Sequence, residues 1–198
     1  MSSAGRASAE RGVHTFEGMI VPPPELVLET SFVVDALIPS QARHPECRTF
    51  LGSIANAKSK VFFNHLLAPE LWEAAYKITL KERHPKKRAA EVRHDRRMLR
   101  RAKTRREEIE NAWREALTLL DWVAIELSEV QRWLPQMMAY GLTSFDAVHA
   151  ATSTYSGVRP LVTLDYHFSF VPQRRLELYV PSSRVQACRM RRSQARRI

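Results

Sequence analysis

Short apolar runs that alternate with longer amphipathic segments restrict this chain to very few folds. Two of these runs stop at an aspartate: Ser31-Phe32-Val33-Val34 precedes Asp35, and Pro160-Leu161-Val162-Thr163-Leu164 precedes Asp165. A short run rich in β-branched residues is typical of a buried parallel strand. Strands that alternate with helices predict an α/β sandwich with a mostly parallel central sheet and flanking helices.

The remaining elements are predicted from spacing and capping residues. The predicted strands and helices, apart from the two runs above, are strands at 60–63 and 121–125 and helices at 45–57, 65–80, 128–140 and 143–157. Between Val92 and Leu120, apolar residues recur at spacings of three, four and seven, which predicts one more amphipathic helix. The helix that begins at Thr143 has the best start signal, because hydroxyl residues precede an acid and then a run of small apolar residues.

The segments suggest one domain with appendages. Residues 1–29 are rich in small and charged residues and include a proline run, so we expect an N-terminal arm outside the core. We expect the domain at 30–180, with a basic helical insertion at about 81–115, and a basic tail at 181–198. Two distant cysteines without a CxxC spacing predict free thiols.

The positive charge lies mainly in two segments. The chain has a formal net charge of +10, and residues 81–114 carry 14 Lys or Arg against 6 Asp or Glu. Residues 174–198 carry 8 against 1, which leaves the rest of the chain acidic. This excess favours nucleic acid as a partner, ahead of an anionic membrane surface. No window reaches the ~20 apolar residues of a membrane-spanning helix, so we expect no membrane partner and a cytoplasmic protein.

Four carboxylates are predicted to meet at one edge of the sheet. Asp35 and Asp165 follow predicted strands, while Glu70 and Asp146 lie in the first turns of helices that begin at that edge. Each one alone is more often a cap or turn residue, but four together would repel one another unless a cation compensates. Oxygen ligands suit Mg²⁺ or Mn²⁺. Glu73, one helical turn from Glu70, is the alternative second acid.

These acids lie in motifs that resemble those of PIN-domain nucleases, especially the VapC-type toxins of toxin–antitoxin pairs. Phe32-Val33-Val34-Asp35-Ala36 resembles the opening strand with the first acid, and Leu67-Ala68-Pro69-Glu70-Leu71 the segment with the second. Thr143-Ser144-Phe145-Asp146-Ala147-Val148-His149-Ala150-Ala151 is similar to the motif with the third acid. Val162-Thr163-Leu164-Asp165-Tyr166-His167-Phe168 is similar to the motif with the fourth, and the last two motifs are the most specific part of the match.

The resemblance implies a PIN-like three-layer sandwich that hydrolyses RNA with Mg²⁺ or Mn²⁺. Asp35, Asp146 and Asp165 would lie nearest the metal, with Glu70 acting directly or through water. It also implies a toxin, inhibited by a cognate antitoxin protein, that assembles as a homodimer or higher oligomer. One departure is Leu37, which stands where family members often carry a small polar residue.

Other interpretations of the same residues stay open at this point. The chain could be an RNA-processing nuclease, or an RNA-binding module whose acids do not cleave. The basic insertion could contact RNA or form the groove for an antitoxin helix. His149 and His167 follow Asp146 and Asp165 closely, but we expect both histidines to pack or cap rather than bind the metal.

Overall fold

A parallel six-stranded sheet forms the centre of the part of the chain, residues 12–92 and 94–195, that this computed structural model describes. The strands are β1 (Val13–Thr15), β2 (Glu25–Leu28), β3 (Lys60–Asn64), β4 (Asp121–Ile125), β5 (Pro160–Val162) and β6 (Glu177–Val180). Their order across the sheet is β1-β6-β5-β2-β3-β4, and every neighbouring pair is parallel. The expected α/β class with a parallel sheet is confirmed.

Helices cover both faces of this sheet. They are α1 (Thr30–Leu37), α2 (His44–Asn56), α3 (Leu67–Arg83), α4 (Ala89–Val92), α5 (Arg96–Leu117), α6 (Leu127–Val130), α7 (Leu134–Ala139), α8 (Ser144–Ser156) and α9 (Ser182–Ala195). Side chains of α1, α2, α3 and α5 form one hydrophobic cluster, and those of α6 to α9 form a second on the opposite face. Within β2, Leu26 and Leu28 belong to the first cluster and Val27 to the second, as the two-residue period of a strand requires. The three-layer arrangement is therefore confirmed.

The centre of the sheet contains the point where the chain changes direction. From β2 the chain continues through β3 to β4 on one side, whereas β5, β6 and β1 lie on the other side of β2. The backbone N–H of Glu29, just after β2, donates to the carbonyl oxygen of Val162 at the end of β5 (3.1 Å). The carboxyl ends of β2 and β5 therefore border the crevice in which open α/β sheets bind their ligands.

The first strand predicted from sequence is wrong. Ser31–Val34 lies within helix α1, and the strand that precedes it is β2. Glu29 begins the helix, since its side chain accepts a hydrogen bond from the backbone N–H of Ser31 (2.8 Å). A short apolar run is compatible with either a strand or a buried helix, and here the capping carboxylate and the pairing of β2 with both β3 and β5 decide in favour of the helix.

Parts of the expected arm and tail that the structure describes form regular elements of the domain. The expected arm at 1–29 supplies β1 and β2, and the buried ring of Phe16 stacks on Phe50 with centroids 5.1 Å apart. The expected tail at 181–198 supplies α9, and residues 1–11 and 196–198 lie outside the described ranges. These pairings join residues far apart in sequence, so local composition does not report them. Both cysteines, Cys47 and Cys188, are free and buried, as expected.

The basic insertion is part of a helical hairpin, in which α5 (Arg96–Leu117) is the amphipathic helix predicted between Val92 and Leu120. Helix α3 extends to Arg83, and α5 returns along it, joined to α3 by an ion pair between Arg105 and Glu82 (3.2 Å). The later part of α5 reaches the main core, where Trp113 packs edge-on against Phe63. The helix predicted at 128–140 is likewise divided, because a 3₁₀ turn separates α6 from α7. Across the described ranges, no helix combines the length and apolarity needed to cross a membrane.

Candidate metal centre

Asp146, Asp165 and His167 form a group of ligand atoms at the crevice. One ligand atom from each of the three lies within 4.8 Å of the other two. Asp146 is in the first turn of α8, and Asp165 caps the 3₁₀ turn Tyr166–Phe170 by accepting a hydrogen bond from the backbone N–H of His167 (2.9 Å). The imidazole Nδ1 of His167 lies 2.9 Å from the same carboxylate. The carboxylates of Asp146 and Asp165 therefore lie close enough to share one cation, and their role as metal ligands stays a prediction.

Burial and the charges of neighbouring residues change the pKa of Asp146. Burial and the neighbouring negative charge of Asp165 raise the pKa of Asp146 above its ordinary value, and Glu70 adds to the effect. His149 and His167 oppose it. Two carboxylates held this close disfavour ionisation of both, and a divalent cation removes that penalty.

The capping of α8 differs from the expectation from sequence, because the side chain of Thr143 makes no capping hydrogen bond.

Glu70 is fixed by two donors from neighbouring elements. Its Oε2 atom accepts a hydrogen bond from the hydroxyl of Thr30 (2.6 Å) and lies 2.7 Å from Nε2 of His149. By contrast, the alternative acid Glu73 is half exposed and forms an ion pair with Lys77 (2.8 Å). The geometry therefore favours Glu70 over Glu73 as the second acid of the site.

His149 is a buried partner of this carboxylate. The histidine is fully buried in α8, and Nε2 carries the proton in the arrangement in which it donates to Glu70. Burial lowers its pKa, but the hydrogen bond and charge of Glu70, with the charges of Glu29 and Asp146, outweigh burial and raise it. His149 therefore packs beneath the acids, whereas His167 lies among the possible ligands.

Glu29 is a site residue that the sequence analysis missed. It follows β2 at the crevice, is 5% exposed, and accepts hydrogen bonds from the hydroxyls of Thr163 (2.8 Å) and Ser31. Burial raises its pKa, against the charge of His149 and these hydrogen bonds. Thr163 also accepts a hydrogen bond from the backbone N–H of Asp165 (2.9 Å), so one hydroxyl joins the two strand ends. The signal in the sequence was the run Leu26-Val27-Leu28 before an acid, which the more β-branched run at 32–34 obscured.

Asp35 lies outside the metal-capable group, which consists of Asp146, Asp165 and His167. It is on α1, where burial raises the pKa of its carboxyl, while the charges of Arg43 and His44 lower it. Asp35 does line a cavity of about 240 Å³ that also includes Glu29 and Glu70. The predicted position of Asp35 at a strand end is thus corrected, and Glu29 occupies that position.

The donor set suits a hard divalent cation. Asp146 and Asp165 supply carboxylate oxygens, and His167 supplies a nitrogen in the same 4.8 Å group. Mg²⁺ and Mn²⁺ both accept carboxylate and water ligands, and Mn²⁺ also tolerates imidazole. Glu29 is held in place by its hydrogen bond to Thr163, and Glu70 by its hydrogen bonds to Thr30 and His149. These residues therefore fit a metal site with a built outer shell.

The fold is a three-layer α/β sandwich, and its acids gather at the edge of the sheet where the chain changes direction. An acidic crevice in this position is the kind of site that a metal-dependent hydrolase has. The family model of the PIN domain matches residues 26–173, which include all but the first residue of β2 and all the acids of the crevice. The chain belongs to the PIN-domain family, whose members are typically metal-dependent nucleases. A search of curated proteins found no match.

Metal binding is tested first by thermal unfolding. Excess Mn²⁺ or Mg²⁺ should raise the Tm of the wild-type protein, since a ligand at about 100 times its Kd adds about 2.7 kcal/mol. Asp146→Asn should abolish this shift because it removes a ligand charge at nearly constant shape. Asp121→Asn, at the exposed start of β4, is the charge-matched control and should respond like the wild type. An equal shift in all three proteins would remove Asp146 from the metal site.

The place of the first acid is tested by calorimetric titration with Mn²⁺. Glu29→Gln should weaken Mn²⁺ binding by about 10- to 100-fold, the usual effect of removing an outer partner of a metal site. Asp35→Asn should leave the affinity within about twofold, because Asp35 lies outside the metal-capable group. The opposite pattern would return Asp35 to the role predicted from sequence.

Proposed function

We propose that this protein is a ribonuclease that hydrolyses RNA phosphodiester bonds with Mg²⁺ or Mn²⁺. The observation that carries the proposal is that Asp146 and Asp165 come together at the edge of the sheet where the chain changes direction. Glu29 and Glu70 are held at the same crevice by hydrogen bonds. When bound, the cation activates a water molecule for attack and neutralises charge on the phosphate. Asp146 and Asp165 are its proposed holders, with Glu70 acting directly or through water and Asp35 retained only as a residue lining the adjoining cavity.

The protein's own residues supply the order that this chemistry needs. Thr163 fixes Glu29 and the backbone of Asp165 relative to each other, so the ends of β2 and β5 are coupled. Thr30 and His149 hold one oxygen of Glu70 and thereby set the direction of the other. Side chains that are fixed before the substrate arrives need no reorganisation during the reaction.

The distribution of charge supports RNA as the substrate. The turn between α3 and α4 carries Lys86, Lys87 and Arg88, which are exposed and form no ion pair with any described acid. The same is true of four arginines on the first turns of α5: Arg96, Arg97, Arg100 and Arg101. Cations of this kind hold the flanking phosphates of a nucleic acid, while the acidic crevice holds a metal for the cleaved one.

We further propose that the protein is the toxin of a toxin–antitoxin pair, acts in the cytoplasm and assembles as a homodimer or higher oligomer. The resemblance of its motifs to VapC-type toxins supports this role. The cognate antitoxin would inhibit by placing a basic side chain in the acidic crevice or by displacing the metal. Its binding groove would be on the basic hairpin or beside it.

Cleavage by purified protein, with and without Mg²⁺ or Mn²⁺, tests the proposed activity. Asp146→Asn should abolish cleavage of RNA and leave the fold intact, as judged by circular dichroism, since the substitution removes only a ligand charge. Expression of the wild type should arrest growth, and expression of the variant should not. Full activity in Asp146→Asn would exclude this residue from the mechanism, and metal-independent RNA binding without turnover would indicate a binding module.

The role of the hairpin is tested by the salt dependence of RNA binding. Neutralising Lys86, Lys87 and Arg88 together should weaken binding and lower the log–log salt slope by about 2, because each neutralised phosphate of a single strand adds about 0.7 to that slope. The double control Lys58→Gln and Arg174→Gln changes exposed cations at the opposite edge of the sheet and should leave the slope unchanged. A slope that stays at the wild-type value in the triple variant would reassign this run to solvation or partner binding.

A further inference from the structure

Two arginines of helix α9 lie over one aromatic ring next to the metal centre. The guanidinium carbon of Arg191 is 3.9 Å from the centroid of the Tyr166 ring, and that of Arg184 is 5.8 Å from it. Arg184, Cys188 and Arg191 are spaced four and three residues apart, so they share one face of α9. Cys188 is fully buried, which shows that this face is turned towards the domain.

Neither arginine is neutralised by an acid. The structure gives Arg184 and Arg191 no ion pair within the described ranges, and the buried Nε of Arg184 has no hydrogen-bond partner there. Arg192, on the same helix, differs because its guanidinium donates to the carbonyl oxygens of Gly12 and Leu176 (2.8 Å each) and joins α9 to the sheet. Arg192 therefore joins α9 to the sheet together with Arg189, whose guanidinium donates to the carbonyl oxygen of Val13 (3.2 Å). The guanidinium groups of Arg184 and Arg191 over Tyr166 keep unused donors within the described ranges.

This pair is close to the proposed reaction centre. Tyr166 directly follows Asp165 in the chain, and its ring lies 4.4 Å from the ring of His167 between centroids. The charge of Asp165 also acts on Cys188, which lies one turn from each of the two arginines. The two guanidinium groups therefore lie beside the residue that follows Asp165, at the margin of the acidic crevice.

We propose that Arg184, Arg191 and Tyr166 form an arginine–tyrosine shelf that binds an RNA backbone phosphate adjacent to the cleaved one. The inference rests on the proposed nuclease function and assigns part of its substrate site. A guanidinium stacked on an aromatic face keeps its edge N–H groups free for phosphate oxygens, and stacking fixes its orientation. Single-stranded RNA is the fitting occupant, because its backbone follows basic grooves that contain aromatic side chains.

The probe is a fluorescein-labelled single-stranded RNA of twelve nucleotides, bound in EDTA so that cleavage does not occur. Arg184→Met and Arg191→Met keep the apolar stem and remove the charge. Each should raise the Kd and lower the log–log salt slope by up to about 0.7, the value for the one single-strand phosphate that the two arginines share. Lys58→Met removes an exposed charge before β3, which two strands separate from β6, and should leave Kd and slope unchanged.

A second variant separates charge from stacking. Arg191→Lys keeps the charge and removes the planar group, so it should keep the salt slope but raise the Kd. Wild-type slopes in both methionine variants, with only a lower Tm, would overturn the shelf and show that the two arginines merely pack α9. Lower slopes in the methionine variants support the shelf, whether or not the wild type cleaves RNA. Failure of the wild type to cleave RNA with metal would refute the nuclease function and leave the shelf standing.

Discussion

Repulsion between carboxylates gathered at one crevice governs how the surrounding side chains of this protein are arranged. The protein compensates two of them internally: Glu29 accepts hydrogen bonds from the hydroxyls of Thr163 and Ser31, and Glu70 accepts from Thr30 and pairs with the buried His149. Asp146 and Asp165 are compensated less fully by neighbouring hydrogen-bond donors, and their carboxylates lie close to each other. The remaining repulsion is what a divalent cation would relieve, so the site combines a prearranged outer layer with an electrostatically strained inner one.

The sheet topology explains why these acids meet. Strands β2 and β5 are neighbours at the point where the chain turns to opposite sides, and each is followed by an acid within three residues of its end. Helices α3 and α8 begin at the same edge and bring Glu70 and Asp146 in their first turns. Charge of the opposite sign is placed at the margins, on the hairpin of α3 to α5 and on α9. This separation of charge is the one that the proposed function requires, with cations for the flanking phosphates of RNA and acids for a metal.

Much of this architecture was predictable, and the exceptions share a cause. The motifs around Asp146 and Asp165 identified their acids, because each combines a strong local start or stop signal with the right neighbours. The motif at 32–36 misled, since Phe32, Val33 and Val34 fit a buried strand as well as the helix they form. The true strand is only four residues long and begins after three prolines, so its own pattern was weak. What decides between the two is pairing with β3 and β5, which involves residues more than thirty positions away.

The sequence by itself determined four properties of this protein: the class of fold, the family motifs, the acids of the last two motifs, and the separation of an acidic centre from basic appendages. These properties depend on residue type and near-neighbour spacing, which a sequence contains in full. Three-dimensional packing was needed to establish that Glu29 and not Asp35 stands at the strand end, that His149 lies beneath Glu70, and that α9 brings two arginines over Tyr166. Each of these depends on contacts between distant segments, whose partners are chosen by packing and hydrogen bonding across the whole domain.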